Sequence, residues 1–87
     1  MTKEQQRVFL QLQNIAACAR TGDYGTLSSQ LNICVQNLSG LLAGDGFTQP
    51  VTAKIVYSLE TLLLMQEQKD WVAFADVIEY ELLDFFR

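Results

Sequence analysis

The feature that most constrains this chain is a repeated boundary. Asp23-Tyr24 and Asp70-Trp71 each fall where one amphipathic helical pattern stops and the next begins, and they lie 47 positions apart. An aspartate just before a helical pattern is an N-cap. The aromatic that follows can close one end of a core. Two helical hairpins in tandem account for the spacing, and 87 residues make one domain rather than two.

The first helix is expected over 2–20. A Thr2/Gln5 capping box opens it, Val8, Phe9, Leu12, Ile15, Ala16 and Ala19 share one face, and Gly22 stops it. The second is expected over 24–42, with Asp23 as cap and an apolar stripe of Tyr24, Leu27, Leu31, Cys34, Val35, Leu38, Leu41 and Leu42. Gly44-Asp45-Gly46 ends it. The third is expected over 50–67, with Pro50 at the first helical position after a Thr48 or Gln49 cap. Its inward residues are Val51, Ile55, Leu59, Leu62 and Leu63, with Val56 and Met65 at the margins. The fourth is expected over 71–86, capped by Asp70. Trp71, Phe74, Ala75, Ile78, Leu82 and Phe85 face the core, and Phe86 faces either the core or a partner.

Shifting one half by 47 places Val8 on Ile55, Leu12 on Leu59, Tyr24 on Trp71 and Leu31 on Ile78, all apolar pairs. Any two amphipathic hairpins of equal length match this way, so the shift speaks to architecture more than to ancestry. Short connections make sequential helices antiparallel. The expected fold is all-α, an antiparallel up-down four-helix bundle built from two hairpins. The alternative is a short solenoid-like arrangement with a groove open between the hairpins.

Chemistry is hard to place on this sequence. The chain has no histidine, the residue that neutral-pH acid–base catalysis recruits most often. Asp76 and Glu79 lie one turn apart with neither an apolar pocket nor a partner base, and the Glu-x-x-His pairs of bundle metal sites cannot form. No EF-hand-type loop supports a Ca²⁺ or Mg²⁺ site, and two cysteines without histidine do not suit zinc. Ser28-Ser29 has no base beside it, and Gly44-Asp45-Gly46 is too short for a phosphate loop. The reading is therefore not an enzyme, with no catalytic, cofactor or metal residues assigned.

Cys18 and Cys34 sit at different distances from the Gly22 turn. That offsets them by roughly 10 Å along a hairpin, out of disulfide reach, and marks them as reduced thiols of a cytosolic protein. The start, Thr2 to Arg7, runs into an amphipathic pattern rather than the apolar core of a signal peptide, and no apolar run reaches the ~20 residues of a membrane span. The net charge of −4 is uneven: residues 1–59 carry +1 and residues 60–87 carry −5. Phosphate would be repelled, so nucleic acid and anionic membranes are disfavoured as partners.

What remains is apolar surface. Hydrophobic residues make up 49% of the chain and charged ones only 18%, which leaves a sparsely charged exterior. On a helical wheel, Ala53, Tyr57 and Leu64 lie opposite the expected core of the third helix. They form a partner or dimer surface, a face partly buried by rotation of the bundle, or a chance alignment. On the fourth helix, Val72, Asp76, Glu79 and Leu83, with Tyr80 and Arg87 adjacent, form a mixed acidic–apolar strip. It either docks a basic amphipathic helix or is a boundary row under a neighbouring helix. The chain thus reads as a protein–protein interaction module, a homodimer or an adaptor. The competing reading is a chaperone-like or accessory subunit that binds a client helix in a flagellar, secretion or enzyme assembly.

The stretch Lys69-Asp70-Trp71-Val72-Ala73-Phe74-Ala75-Asp76-Val77-Ile78-Glu79-Tyr80-Glu81-Leu82 resembles a pattern near the C-terminus of small, acidic, all-helical, uncharacterised proteins of Gram-positive bacteria. There an Asp-aromatic-Val start is followed by Ala-Asp and then Glu-Tyr-Glu-Leu. The resemblance carries over Asp70, Trp71, Ala75, Asp76, Glu79, Tyr80 and Glu81 as pattern positions. It implies a bacterial origin and an all-helical fold, says little about activity, and nothing about what these residues bind.

Overall fold

A computed structural model describes residues 2–44 and 47–86. Asp45 and Gly46 of the expected glycine turn, and Arg87, lie outside the described residues. The helices are α1 (Lys3–Thr21), α2 (Tyr24–Ala43), α3 (Gln49–Glu67) and α4 (Trp71–Val77). The last one runs on without a break into a π-helical turn, Ile78–Leu82, and a 3₁₀ turn, Leu83–Phe86.

Local sequence explains the boundaries. Thr2 and Gln5 exchange the two hydrogen bonds of a capping box, at 3.0 and 3.1 Å. Asp23 accepts from the Thr26 N–H and Asp70 from the Ala73 N–H. The helix over Gln49–Glu67 starts at Gln49 with Thr48 before it, so Pro50 is its second residue rather than its first. A proline is tolerated there because N–H groups of the first turn have no intrahelical partner.

The α1–α2 and α3–α4 turns share a left-handed residue and one hydrogen bond reaching five residues back. Gly22 has φ 83° and Lys69, 47 positions later, has φ 59°. The Asp23 N–H donates to the Cys18 carbonyl at 3.0 Å, and the Asp70 N–H donates to the Met65 carbonyl, again 47 positions on, at 2.9 Å. Glycine occupies this left-handed conformation freely, whereas lysine crowds its Cβ against the backbone. Lys69→Gly is therefore expected to stabilise the protein by about 0.5–1 kcal/mol in chemical denaturation. A loss of stability would mean that the Lys69 side chain contributes more than the backbone costs.

Packing order is α2–α1–α4–α3. α1 packs against both α2 and α4, α3 packs against α4, and α2 and α3 make at most marginal contact among the described residues. Leu12, Ile15, Leu27, Ile55, Leu62 and Phe74 are fully buried between them. Tyr24 stacks on Trp71 at a 4.5 Å centroid distance, so both aromatics close the same end of the core. At the other end Phe47 meets Phe86 edge-on.

Two features depart from the helical-wheel expectation. On α3, Leu63 is 45% exposed and Val56 is exposed too, while Ser58 is buried. With α4 as its one substantial neighbour, α3 turns its Ser58 side inward and leaves the Val56–Leu63 flank without a cover. On the last helix, Leu83 is only 3% exposed, which removes it from the expected acidic–apolar strip and puts it in the core. The cause is the π turn. The Leu83 N–H donates to the Ile78 carbonyl five residues back, so the helix takes one extra residue in that turn. Every later side chain swings round, Leu83 and Phe86 come inside, and Phe85 is left half-buried.

Both thiols are free. Cys34 is buried, and loss of hydration pushes its thiol up to about 11, whereas Cys18 is half-buried. In the folded protein at pH 8, iodoacetamide is expected to modify Cys18 alone, with Cys34 reacting only after unfolding. Equal labelling of both without denaturant would place Cys34 outside the core.

Candidate functional site

Tyr57 on α3 and Tyr80 on the π turn are 68% and 72% exposed. They line one groove between α3 and the last helix, together with Ala53, Lys54, Ser58, Glu81, Asp84 and Phe85. Ala53 and Tyr57 of the third-helix strip and Tyr80 of the fourth-helix strip thus meet at one place. Tyr80 also borders a second groove, against α1, lined by Gln13, Ala17 and Arg20 among others. It stands as a ridge between the two. An extra residue in a helical turn projects its side chains in directions a regular α-helix cannot reach, which is how π turns so often serve functional positions.

The other strip residues go elsewhere. Leu64 is exposed on the outer arc of α3, next to Val56, Tyr57 and Leu63. Val72 is exposed at the turn end, in a shallow hollow with Tyr24, Lys69 and Trp71. Asp76 and Glu79 face Arg20 of α1. Arg20 Nη2 lies 3.0 Å from Asp76 Oδ1 and 2.7 Å from Glu79 Oε2, and its Nε donates to Glu79 Oε1 at 3.1 Å. A planar guanidinium meeting a carboxylate through two bonds is a geometry that orients as well as attracts. The two carboxylates of the strip are therefore a boundary row that ties α1 to the last helix.

The hydrogen bonds from Arg20 hold the Glu79 carboxyl below its ordinary value, with partial desolvation opposing them and the Arg20 charge adding to them. A lowered carboxyl stabilises the fold above the unfolded-state value of about 4.3, and that contribution is lost as pH falls through the folded-state value. The stability difference between wild type and Arg20→Gln is thus expected to be constant above about pH 5 and to close on acidification. Urea melts at pH 7 and pH 3 measure it; a difference that stays the same at both would mean the ion pair does not stabilise the fold.

Lys54 and Phe85 in the groove, and Val56 and Leu63 on the far flank of α3, were not among the candidate site residues of the sequence pattern, whereas Glu81 entered only as a position of the resemblance. Val56 was marginal on the wheel and Leu63 sat inside it. They are exposed because α3 has its one substantial neighbour in the last helix, and nothing local in the sequence encodes that arrangement.

Among the described residues no three metal-capable side chains cluster, and no helix is long and apolar enough to cross a membrane. The fold and the surface define a small all-helical protein with an exposed aromatic and aliphatic face along α3 and the last helix. No protein-family model, curated protein or solved structure matches the chain.

Proposed function

We propose that this chain is a non-catalytic protein-interaction module, built as an antiparallel up-down bundle of two hairpins, that docks a protein through the face carrying Tyr57 and Tyr80. One observation carries the reading. Two tyrosines from different helices line a single groove and leave most of their area in water. Tyrosine is enriched at interfaces because it offers large contact area at low entropic cost. Leu64, Val56 and Leu63 continue the apolar surface along α3.

The bundle arrangement draws support from paired positions. Asn37 of α2 donates to Gln11 of α1 at 3.2 Å, and the two residues lie at similar distances from the Gly22 turn. The Arg20 contacts to Asp76 and Glu79, the Tyr24–Trp71 stack and the Phe47–Phe86 pair fit alternating chain directions too. The free thiols suit a reducing, cytoplasmic setting. The resemblance to small Gram-positive helical proteins fits as well. Of its pattern residues, Asp70, Ala75, Asp76, Glu79 and Leu82 cap, pack or pair within the fold, and Tyr80 and Glu81 are left facing outward.

The test is the mass in solution of wild type and Leu64→Glu by light scattering on a sizing column. Leu64→Glu is expected to leave helicity and melting temperature nearly unchanged, because residue 64 is at the surface. A dimer that becomes a folded monomer would make this the self-association face, whereas a wild-type monomer reserves it for another protein. A large loss of stability would put Leu64 in the core and end the reading.

A further inference from the structure

The apolar face on α3 is not surrounded by neutral polar groups. Glu60 and Glu67 lie within its outer arc, and Glu81 and Asp84 line the groove beside it, against a single lysine there, Lys54. Among the described residues Glu60, Glu67 and Glu81 have no ion pair within the chain, since the two salt bridges of the fold are spent on Asp76 and Glu79. Arg20 thus pairs Asp76 and Glu79 on the α4 side, and Glu60, Glu67 and Glu81 have no such cation among the described residues. A second copy of this chain would set an equally acidic face against this one, and like net charges oppose association.

Resting on the docking reading above, we infer that the occupant of this face is a basic amphipathic helix of another protein. Its apolar side lies along Tyr57 and Leu64, with Tyr80 at the edge, and its lysines or arginines reach Glu60 and Glu67 on one side and Glu81, across the groove, on the other. The dimensions agree. α3 has 19 residues, so its face is about 28 Å long, and a partner helix of about 18 residues covers it. Apolar contacts at helical spacing supply affinity, and the charged flanks select the partner and speed encounter.

The experiment uses two fluorescent peptides of about 18 residues with the same leucine face, one filled with lysine and one with glutamate. Binding to the full chain is followed by anisotropy at low and high salt. The lysine peptide is expected to bind at least about tenfold more tightly than the glutamate peptide, with the preference shrinking in salt. Tyr57→Ser/Leu64→Ser, both surface changes, is expected to weaken it by at least about tenfold. Glu60→Lys/Glu67→Lys is expected to invert the preference.

Equal binding of both peptides, or a preference unmoved by the charge reversal, would overturn the basic-partner inference and leave the docking face standing. So would a wild-type dimer split by Leu64→Glu, which would make the occupant a second copy. If neither peptide binds and the wild type is a monomer, the docking reading falls together with the inference. Circular dichroism of each variant separates these results from simple unfolding.

Discussion

Phe74→Ala is expected to cost about 3–5 kcal/mol and to lower the melting temperature by roughly 15–30 °C. Phe74 is fully buried at the first inward position of α4, the helix that packs against both α1 and α3. Its ring also meets the Trp71 ring edge-on at 5.5 Å, so its loss loosens the stacked Tyr24–Trp71 pair at that end. A chain of this length has a total stability on the order of 4–13 kcal/mol, so one such cavity removes a large share of it. Trp71→Ala is expected to cost less than Phe74→Ala, because Trp71 is half-buried and part of its area is already wet. Guanidinium melts of both variants decide the matter. A Phe74→Ala loss below about 1 kcal/mol would mean that α4 is not the central helix and that the packing order is wrong.

Much of the fold was legible because it is written locally. Capping chemistry at Thr2, Asp23 and Asp70 and the stop at Gly22 act within a few residues, so the helix starts could be placed from spacing alone. The 47-residue repeat was legible as a pattern of apolar positions. Its more telling form, two turns with a left-handed residue and an equivalent hydrogen bond from the capping aspartate, was hidden because lysine at position 69 does not announce that conformation as Gly22 does. The inward faces of α1 and α2 followed the wheel at Val8, Leu12, Ile15, Leu27, Leu31 and Leu38, which are all buried, while Tyr24, expected on the same stripe, is 42% exposed at its end.

The misreadings have one physical source each. A wheel assumes that every helix has neighbours on both sides of its apolar stripe. α1 does, so Ala16 is buried; α3 does not, and Leu63, which stands on Ala16 when the halves are superposed, is exposed. A wheel also assumes 3.6 residues per turn, and one π turn breaks that for everything after it. The candidate site was half legible for the same reasons. Ala53, Tyr57, Leu64 and Tyr80 were found because they oppose a core by simple periodicity. That Tyr57 and Tyr80 share a groove is a tertiary fact, as is the capture of Asp76 and Glu79 by Arg20, an arginine 56 and 59 positions away in sequence.

Leu83→Glu is expected to unfold the protein, and it tests the π turn more sharply than any other single change. In an unbroken α-helix, residue 83 would lie about 140° around from Ile78, on the flank where a charged side chain is harmless. With the π turn, residue 83 is brought round toward the Ile78 side of the helix and is sealed in the core. A glutamate there has to be buried without a partner or drag the end of the helix out into water. Either route costs several kcal/mol, on the order of the whole stability of a domain this size. The adjacent phenylalanines give an independent measure, because the turn exchanges their roles. Phe86→Ser is expected to cost more than Phe85→Ser, since Phe86 is buried against Phe47 and Phe85 borders the open groove. A folded Leu83→Glu protein, with Phe85→Ser the more damaging serine change, would restore a regular α-helix to the chain's end. It would also move Tyr80, whose projection from the π turn places it at the groove with Tyr57.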